Sequence, residues 1–244
     1  MSIGTSPAFH TKDFPALEPV RGVIFDLHAT LVDQGHAGEW VDRALTRQTH
    51  PLTTEERDEL EFFLDRIWET ARIQDPHSSR DLSFTDHRRV FHELLAAGPA
   101  VPAEFAEALY EVLLDTWHAY ADTVPTLRAL KSAGLRIGVL SNIGVPIRPV
   151  LDREGISEWI DAVVLSYEVG VVKPDPGIFE AALLALDLPA ASTLMVGDSG
   201  RDDTGGIALG IRTLILPRTK GPIHGLDAVT RMLTVPRPVD SARR

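Results

Sequence analysis

Four separated stretches of the chain carry potentially reactive side chains at or just after predicted strands. Asp26 ends the first, Ser141–Asn142 end the second, and Lys173, Asp198 and Asp202–Asp203 belong to later ones. They offer a carboxylate nucleophile, a hydroxyl donor, a cation and a second acidic cluster. A phosphate is repelled by a carboxylate unless a divalent cation and an ammonium group neutralise the charge, and carboxylate oxygens are ligands that Mg²⁺ prefers. The set therefore predicts chemistry at a phosphoryl group.

The elements that would bring these side chains together are strands of a parallel sheet. The apolar run Val23–Phe25 is typical of a strand that is buried on both faces. Similar runs at Leu135–Leu140, Ala162–Leu165, Thr193–Val196 and Thr213–Leu216 alternate with helical stretches. This alternation predicts an α/β fold with a doubly wound parallel sheet. Ligands of such sheets gather outside the carboxyl ends of the strands, where the reactive side chains would meet.

A long helical segment interrupts the alternation. From about Gln34 to Asp122 apolar residues recur at helical spacing. Thr53 or Thr54, followed by two glutamates, and the segment Ser83–Thr85 are typical helix starts. We therefore predict an N-terminal arm at residues 1–19, an α/β core formed by 20–34 and 122–233, an inserted helical cap at 35–121, and a C-terminal tail at 234–244.

Composition limits the classes of partner. A formal net charge of -11 and a pI near 5.2 argue against binding to nucleic acid or to an anionic membrane surface. The absence of cysteine excludes disulfides and thiolate chemistry. The chain shows no charged-then-apolar leader and no apolar run of membrane-spanning length, which predicts a cytoplasmic protein. The sequence leaves the oligomeric state open.

Four motifs, FDLHATL, VLSN, VKPDPGIF and VGDSGRDDTGG, occur in this order. In this ordered set the chain resembles the haloacid dehalogenase-like (HAD) hydrolase superfamily, in the subfamily whose helical cap is inserted after the first strand. The resemblance covers roughly residues 22–216. It implies a Rossmann-like core, an enzyme that uses Mg²⁺, and a small soluble phosphomonoester as substrate.

The resemblance also implies roles for individual residues. Asp26 would be the nucleophile that forms an aspartyl intermediate, and Lys173 would balance charge on it and on the phosphoryl oxygens. Ser141 would hydrogen-bond the transferring group, assisted by the backbone of Asn142. Asp198 would bind Mg²⁺ together with Asp26 and the backbone carbonyl of the residue two after it.

Three further residues would support that arrangement. Asp203, together with Asp202 beside it, would act from behind the metal ligands. Thr30 would support the turn that follows the first strand. Asp202 and Asp203 could equally be a helix N-terminal pair favoured by the macrodipole.

The chain departs from the family pattern at His28, where phosphatases of this superfamily usually carry the aspartate that acts as general acid and base. Ala29 follows where glycine is usual. The contact of residue 28 with the metal would be retained, because the backbone carbonyl makes it. The acidic side chain of the family pattern is absent. A protonated imidazole could donate to the leaving alkoxide, since the unperturbed pKa of histidine is about 6.5. Alternatively His28 shapes the site for another leaving group or acceptor, or the protein only binds phosphate or regulates.

Two branches of the superfamily are rivals. Haloacid dehalogenases use the same nucleophile without a metal, lack the acid equivalent to Asp198 and usually carry tyrosine at the position of His28. This chain lacks that tyrosine and retains the acid, which favours metal and phosphate. Phosphonoacetaldehyde hydrolases need a cap lysine, and no lysine lies between Lys12 and Lys131.

Other polar or aromatic residues receive structural interpretations. His87 and His92 are five apart and so would not share a helix face as a metal pair would. The tryptophans are interpreted as packing residues and the cap arginines as solvent-facing, although an arginine could reach an anionic substrate. These residues are Trp40, Trp68, Trp117 and Trp159, and Arg43, Arg47, Arg72, Arg88 and Arg89.

Overall fold

A computed structural model describes residues 17–234 of the chain. The predicted tail beyond Thr234 and the first 16 residues of the predicted arm lie outside this range. The strands are β1 (Gly22–Phe25), β2 (Val32–Asp33), β3 (His118–Ala119), β4 (Arg136–Ser141), β5 (Ala162–Leu165), β6 (Thr193–Gly197) and β7 (Arg212–Ile215).

Helices fill the connections between these strands. The α-helices are α1 (Ala37–Arg47), α2 (Thr54–Leu64), α3 (Ile67–Gln74), α4 (Phe84–Ala96), α5 (Ala103–Glu111), α6 (Thr123–Ser132), α7 (Arg148–Arg153), α8 (Ser166–Val169), α9 (Pro176–Leu186) and α10 (Asp227–Thr234). Short 3₁₀ helices lie at Ser79–Leu82, Leu113–Thr116, Ser157–Trp159, Ala190–Ser192 and Asp203–Leu209.

The main sheet is parallel, five-stranded and ordered β5-β4-β1-β6-β7. All four residues of the central strand β1 are buried, as its unbroken apolar run predicts. Helices pack against the sheet on both of its faces, so two apolar clusters form. The predicted doubly wound α/β fold is confirmed. The order places the ends of β4, β1 and β6 side by side, and these strands carry the reactive motifs.

The segment between β2 and β3 is helical. Helices α1 to α5 pack around large buried side chains such as Trp40, Phe91 and Phe105. The indole of Trp40 donates a 2.7 Å hydrogen bond to the carbonyl of Leu109, which joins α1 to α5. Thr53 forms a capping box with Glu56 at the start of α2, as the sequence predicts.

Two strands that the sequence did not predict join this helical segment to the sheet. Val32 pairs with Ala119 and Asp33 with His118 in an antiparallel ribbon. β3 lies inside the range predicted as cap, residues 35–121. Each strand is only two residues long, too short for alternation of side chains to show in the sequence.

Two predicted helices differ in detail. The stretch Asp203–Leu209 is a 3₁₀ helix. The last helix, predicted from Ile223, begins at Asp227. The Asp122 carboxylate accepts hydrogen bonds from the backbone N–H groups of residues 224, 225 and 226, and Gly225 has a φ of 98°. This long-range contact holds residues 224–226 as a loop. Within residues 17–234, every helix is too short or too polar to span a bilayer.

Candidate active site

Asp26 lies directly after β1, at the carboxyl edge of the sheet. Its side chain is buried, and each carboxylate oxygen has a partner. Lys173 Nζ donates to Oδ1 at 2.6 Å, and Thr30 Oγ1 donates to Oδ2 at 3.2 Å. Thr30, which we expected to support the turn after β1, thus contacts Asp26 directly. Together the two contacts hold the carboxylate in a fixed orientation at the strand end.

Lys173 bridges two carboxylates. Its Nζ lies 2.6 Å from Asp26 Oδ1 and 2.7 Å from Asp203 Oδ1, and the lysine is almost fully buried. The Asn142 side chain positions the lysine backbone, since its Oδ1 accepts from Lys173 N at 2.7 Å and its Nδ2 donates to Lys173 O at 2.9 Å. Sequence reasoning considered only the backbone of Asn142. Ser141, buried at the end of β4, lines the same cavity as Asp26.

Asp203 supports the lysine and has no oxygen free of a partner. Lys173 occupies Oδ1, and Ser199 N donates to Oδ2 at 2.9 Å. A side chain at Gly197 would overlap this carboxylate, which explains why glycine ends β6. From the sequence we expected Asp203 to belong to the metal site and to act from behind the metal ligands. Its contacts place it behind the nucleophile, where it fixes Lys173.

Burial dominates the electrostatics of the nucleophile. Burial, together with the negative charges of Asp203 and Asp198, outweighs Lys173 and raises the pKa of Asp26 to about 7. Burial disfavours the Lys173 ammonium, yet the carboxylates of Asp203 and Asp26 raise the pKa of the lysine above its ordinary value. Lys173 is therefore charged at neutral pH. Its single positive charge does not offset the combined negative charge of Asp26, Asp203 and Asp198.

Asp198 is the second acid of the cavity. Its carboxylate lies 3.3 Å from Arg218 Nε, and 16% of the side chain is exposed. Burial raises the pKa of Asp198, Arg218 opposes the rise, and Asp203 adds to it. Among the described residues no group of three or more histidine, aspartate or glutamate side chains could hold a metal ion. The carboxylates of Asp26 and Asp198 are nevertheless oxygen donors that repel one another, and a divalent cation would relieve this repulsion. The donor set fits Mg²⁺ on this ground.

His28 lies in a buried, aromatic environment. Its ring stacks on Trp117 with 4.8 Å between centroids, and Nε2 is buried with no hydrogen-bond partner in the described part of the chain. Burial, reinforced by the positive charges of Arg218 and Arg72, lowers the pKa of His28 to about 3. This environment disfavours the protonated imidazole considered from the sequence, and an acid–base role of His28 stays a prediction.

The turn after β1 explains why glycine is usual at position 29. Ala29 has a φ of 63°, in the left-handed region that favours glycine. Its carbonyl lies 2.7 Å from His224 Nε2, and its N–H donates to Val32 O at 2.6 Å. These contacts hold the strained backbone that carries Asp26 and His28.

A cavity of about 480 Å³ opens over Asp26 between the sheet edge and the helical segment. Trp68 and Arg72, four residues apart on α3, line it from one helix face, and Trp117 lines it beside His28. Both tryptophans also pack in the apolar core, as the sequence predicts, so each combines packing with a place in the cavity lining. Of the five arginines noted in the sequence, Arg72 lines the cavity; Arg43, Arg47, Arg88 and Arg89 pair on the surface with Glu39, Asp115, Glu107, and Asp86 and Glu93.

Sequence reasoning missed several cavity residues altogether. Arg80, Asp81 and Arg218 line the cavity and lie outside the four motifs, whereas Arg201 lies within the fourth motif but was assigned no role. His87, interpreted as an ordinary histidine, also lines the cavity. Its ring stacks on Trp68 with 4.8 Å between centroids, and burial, helped by Arg80, lowers the pKa of His87 to about 3.

A carboxylate at a strand end, a buried ammonium that orients it and a helical segment over the cavity form one candidate active site at the edge of an α/β sheet. The chain belongs to the haloacid dehalogenase-like hydrolase family, whose model matches residues 20–210.

Relatives of known name divide between two kinds of enzyme. The chain is 32% identical over 143 residues to haloacid dehalogenase-like hydrolase domain-containing protein 3 of Danio rerio, covering 57% of this chain and 59% of that one. It is 27% identical to (S)-2-haloacid dehalogenase 1 of Pseudomonas sp., over 84% of this chain and 88% of that protein. It is 33% identical to phosphoserine phosphatase of Thermus thermophilus, over 55% of each chain. The chain thus spans little more than half the length of several curated relatives.

Solved structures show the same fold. The crystal structure of the L-2-haloacid dehalogenase RSc1362 superposes with a TM-score of 0.65 at 24% identity, covering 89% of this chain and all of that chain. At this identity the likeness shows the fold alone. The family membership shows a HAD-like hydrolase.

Proposed function

We propose that this hydrolase is a Mg²⁺-dependent phosphatase that acts on a small phosphomonoester through an aspartyl-phosphate intermediate on Asp26. The observation that carries the proposal is the second carboxylate, Asp198, in the cavity of the nucleophile. The negative charge of Asp198 raises the pKa of Asp26, and an anionic substrate would add to this repulsion. A divalent cation held by the two carboxylates would offset this charge and that of a phosphate.

Asp26 and Asp198 would hold the ion together with the backbone carbonyl of His28. When bound, Mg²⁺ would neutralise charge on the carboxylates and on the phosphoryl oxygens. The helical segment would cover the cavity and exclude bulk water from it.

The residues of the chain then have defined tasks. Asp26 Oδ attacks phosphorus, and the bond from phosphorus to the alcohol oxygen breaks. Lys173 keeps the nucleophile ionised and oriented, and Ser141 donates to a phosphoryl oxygen. Water then attacks phosphorus of the aspartyl phosphate, which releases orthophosphate and restores the Asp26 carboxylate.

For His28 we propose the second of the three sequence-based alternatives, in which it shapes the site. Its neutral ring, stacked on Trp117, would form an uncharged surface of the cavity beside the nucleophile. Replacement His28→Asp tests this proposal against an acid–base role. If His28 only shapes the site, the pH profile of phosphate release keeps the same limbs in His28→Asp as in the wild type, and the variant gains no activity. A limb of the wild-type profile that is lost or shifted in the variant would support an acid–base role.

A 2-haloacid dehalogenase is the second candidate, and one observation favours it. Arg218 already neutralises Asp198 without a metal, and Arg72 supplies another cation to the cavity. In this candidate Asp26 displaces halide from carbon and forms an ester. Halide release from 2-chloropropionate in the presence of a chelator would support it and contradict the phosphatase.

The testing experiment is a panel of phosphorylated metabolites and 2-haloacids, each assayed with Mg²⁺ and with chelator. We expect phosphate release that requires Mg²⁺ and disappears in Asp26→Asn. Addition of beryllium fluoride and Mg²⁺ separates a competent nucleophile from turnover. An adduct without phosphate release from any substrate would indicate a phosphate-binding or regulatory protein instead.

A further inference from the structure

Asp81 is a buried carboxyl of the helical segment between β2 and β3. It lies on the 3₁₀ helix Ser79–Leu82, is 4% exposed and lines the same cavity as Asp26. None of the four sequence motifs includes it. Its position is fixed by the core, because Ser166 Oγ donates to the Asp81 carbonyl at 2.6 Å and accepts from Ile143 N at 2.9 Å.

This anchor joins the helical segment to the phosphoryl end of β4. Ile143 is two residues after Ser141, the hydroxyl expected to contact the transferring group. Gly144 follows, and a Cβ there would lie 2.5 Å from the Arg80 carbonyl, so the 3₁₀ helix packs directly on this core loop. Asp81 is therefore held over the part of the cavity that begins at Ser141.

The carboxyl of Asp81 has few partners of its own. Arg80 Nη2 lies 3.4 Å from Asp81 Oδ2, but Arg80 Nη1 also lies 3.5 Å from Asp75. The charged groups around Asp81 are Arg80, Asp75, Arg72 and Asp202. Burial outweighs Arg80 and raises the pKa of Asp81 to about 7. A sizeable fraction of Asp81 thus carries a proton at neutral pH.

The reaction needs such a proton. An alkoxide is a poor leaving group unless an acid protonates it, and the ring of His28, at the usual position of the acid, is stacked on Trp117 with Nε2 buried and without a partner in the described part of the chain. The other acids in the cavity wall, apart from the exposed Glu69, are committed. Asp26 and Asp203 share Lys173, Asp198 faces Arg218, and Asp202 pairs with Arg72 and accepts from Ser199 Oγ.

We propose that Asp81 is the general acid and base of the reaction, acting directly or through one water. The inference rests on the proposed phosphatase function. As the bond from phosphorus to oxygen breaks, the Asp81 proton passes to the leaving oxygen, which departs as the alcohol. The resulting Asp81 carboxylate accepts a proton from the water that attacks the aspartyl phosphate, and the original state returns.

The test varies the leaving group. An acid matters for an alkyl phosphate and hardly matters for 4-nitrophenyl phosphate, whose leaving group departs without a proton. In Asp81→Asn we expect kcat for an alkyl phosphate to fall by about 100-fold or more, and kcat for 4-nitrophenyl phosphate by less than about 5-fold. Asp81→Glu should restore part of the loss. Asp65→Asn, which changes an exposed carboxylate of the helical segment outside the cavity lining, should leave both rates unchanged.

The outcomes separate the two proposals. Retained hydrolysis of 4-nitrophenyl phosphate shows that Asp81→Asn is folded and that the Asp26 machinery is intact. Equal losses on both substrates, or no loss on either, would overturn the role of Asp81 while leaving the phosphatase standing. A wild type that hydrolyses neither substrate would overturn the phosphatase itself.

Discussion

The two sides of the cavity are built differently. On the sheet side, Asp26, Lys173 and Asp203 form a closed network in which every charged oxygen has a partner. On the cap side, Asp81 faces an arginine that it shares with Asp75, and Trp68 and Trp117 carry buried indole N–H groups without partners among residues 17–234.

This difference separates two functions of the cavity, which are formation of the bond to Asp26 and selection of the substrate. A satisfied network fixes the nucleophile before substrate arrives, as preorganised catalysis requires. Unpaired polar groups and aromatic faces are costly unless a ligand or water completes them. The sheet side thus determines which bond forms, and the cap side determines which leaving group fits.

Removal of the nucleophile should have the largest effect. Asp26→Asn keeps the shape of the side chain and removes the attacking oxygen, so we expect activity to fall on the order of 10⁴-fold or more. Initial rates on the best substrate of the panel measure this. Activity within about 10-fold of the wild type would show that another group attacks.

Removal of the buried Lys173 cation should have the second-largest effect, which falls on the sheet side of the cavity. Lys173→Met leaves Asp26 and Asp203 buried without their shared partner, and such a loss costs about 3–5 kcal/mol of unfolding free energy. Urea denaturation measures it. Lys131→Met is the matched control, because Lys131 pairs with Asp161 at 2.7 Å with 31% of its side chain exposed, and should cost less than about 1 kcal/mol. Equal losses in the two variants would contradict a special role for the buried network.

On the cap side, pH should change the stability of the fold through Asp81. Burial raises the folded-state pKa of Asp81 from 3.8 to about 7, so the folded state binds more protons than the unfolded state between these values. Stability from this group is present below pH about 4 and is lost as pH rises to about 7. Asp81→Asn does not titrate. Its unfolding free energy relative to the wild type should therefore increase over this range, by roughly 2–4 kcal/mol.

Urea denaturation at several pH values checks this increase. Asp65→Asn, which removes an exposed carboxylate of the cap, should show a difference from the wild type that does not vary with pH. A constant difference for Asp81→Asn as well would show that its carboxyl is solvated and not held as proposed.

The smallest effect is expected where the two sides meet, at Arg218. Its pair with Asp198 is half exposed on the arginine side, so it contributes at most about 1 kcal/mol. Arg218→Ala frees Asp198 for a cation, and we expect its affinity for Mn²⁺, used as a probe for Mg²⁺, to rise by up to about 5-fold. Electron paramagnetic resonance of free Mn²⁺ measures this. A weaker affinity in the variant would show that Arg218 helps the ion to bind.

The sheet side could be predicted from the sequence because strand ends carry it. Asp26, Ser141 and Asp198 each end or directly follow an apolar run, and parallel strands bring such ends to one edge. Lys173 was predicted from the motif VKPDPGIF. The sequence could not show which partner each carboxylate oxygen has, such as Lys173 and Ser199 for the two oxygens of Asp203.

The cap side could not be predicted, because its residues meet through tertiary packing. Asp81 lies in a 3₁₀ helix whose place is set by Ser166, 85 positions along the chain. Trp68 and Trp117 come from separate elements. The sequence cannot show which face of an apolar side chain remains uncovered and lines a cavity. The low pKa of His28 likewise depends on burial and on Arg218, which is distant in sequence.

Hydrolysis in ¹⁸O-labelled water tests most directly whether water attacks phosphorus, as the proposed phosphatase requires, or the carbon of an ester on Asp26. Water that attacks phosphorus places the label in the released orthophosphate and leaves the peptide containing Asp26 unlabelled, which is the predicted result by mass spectrometry. Label within the Asp26 carboxylate after a single turnover would mean attack at the carbon of an ester, and would contradict the phosphatase.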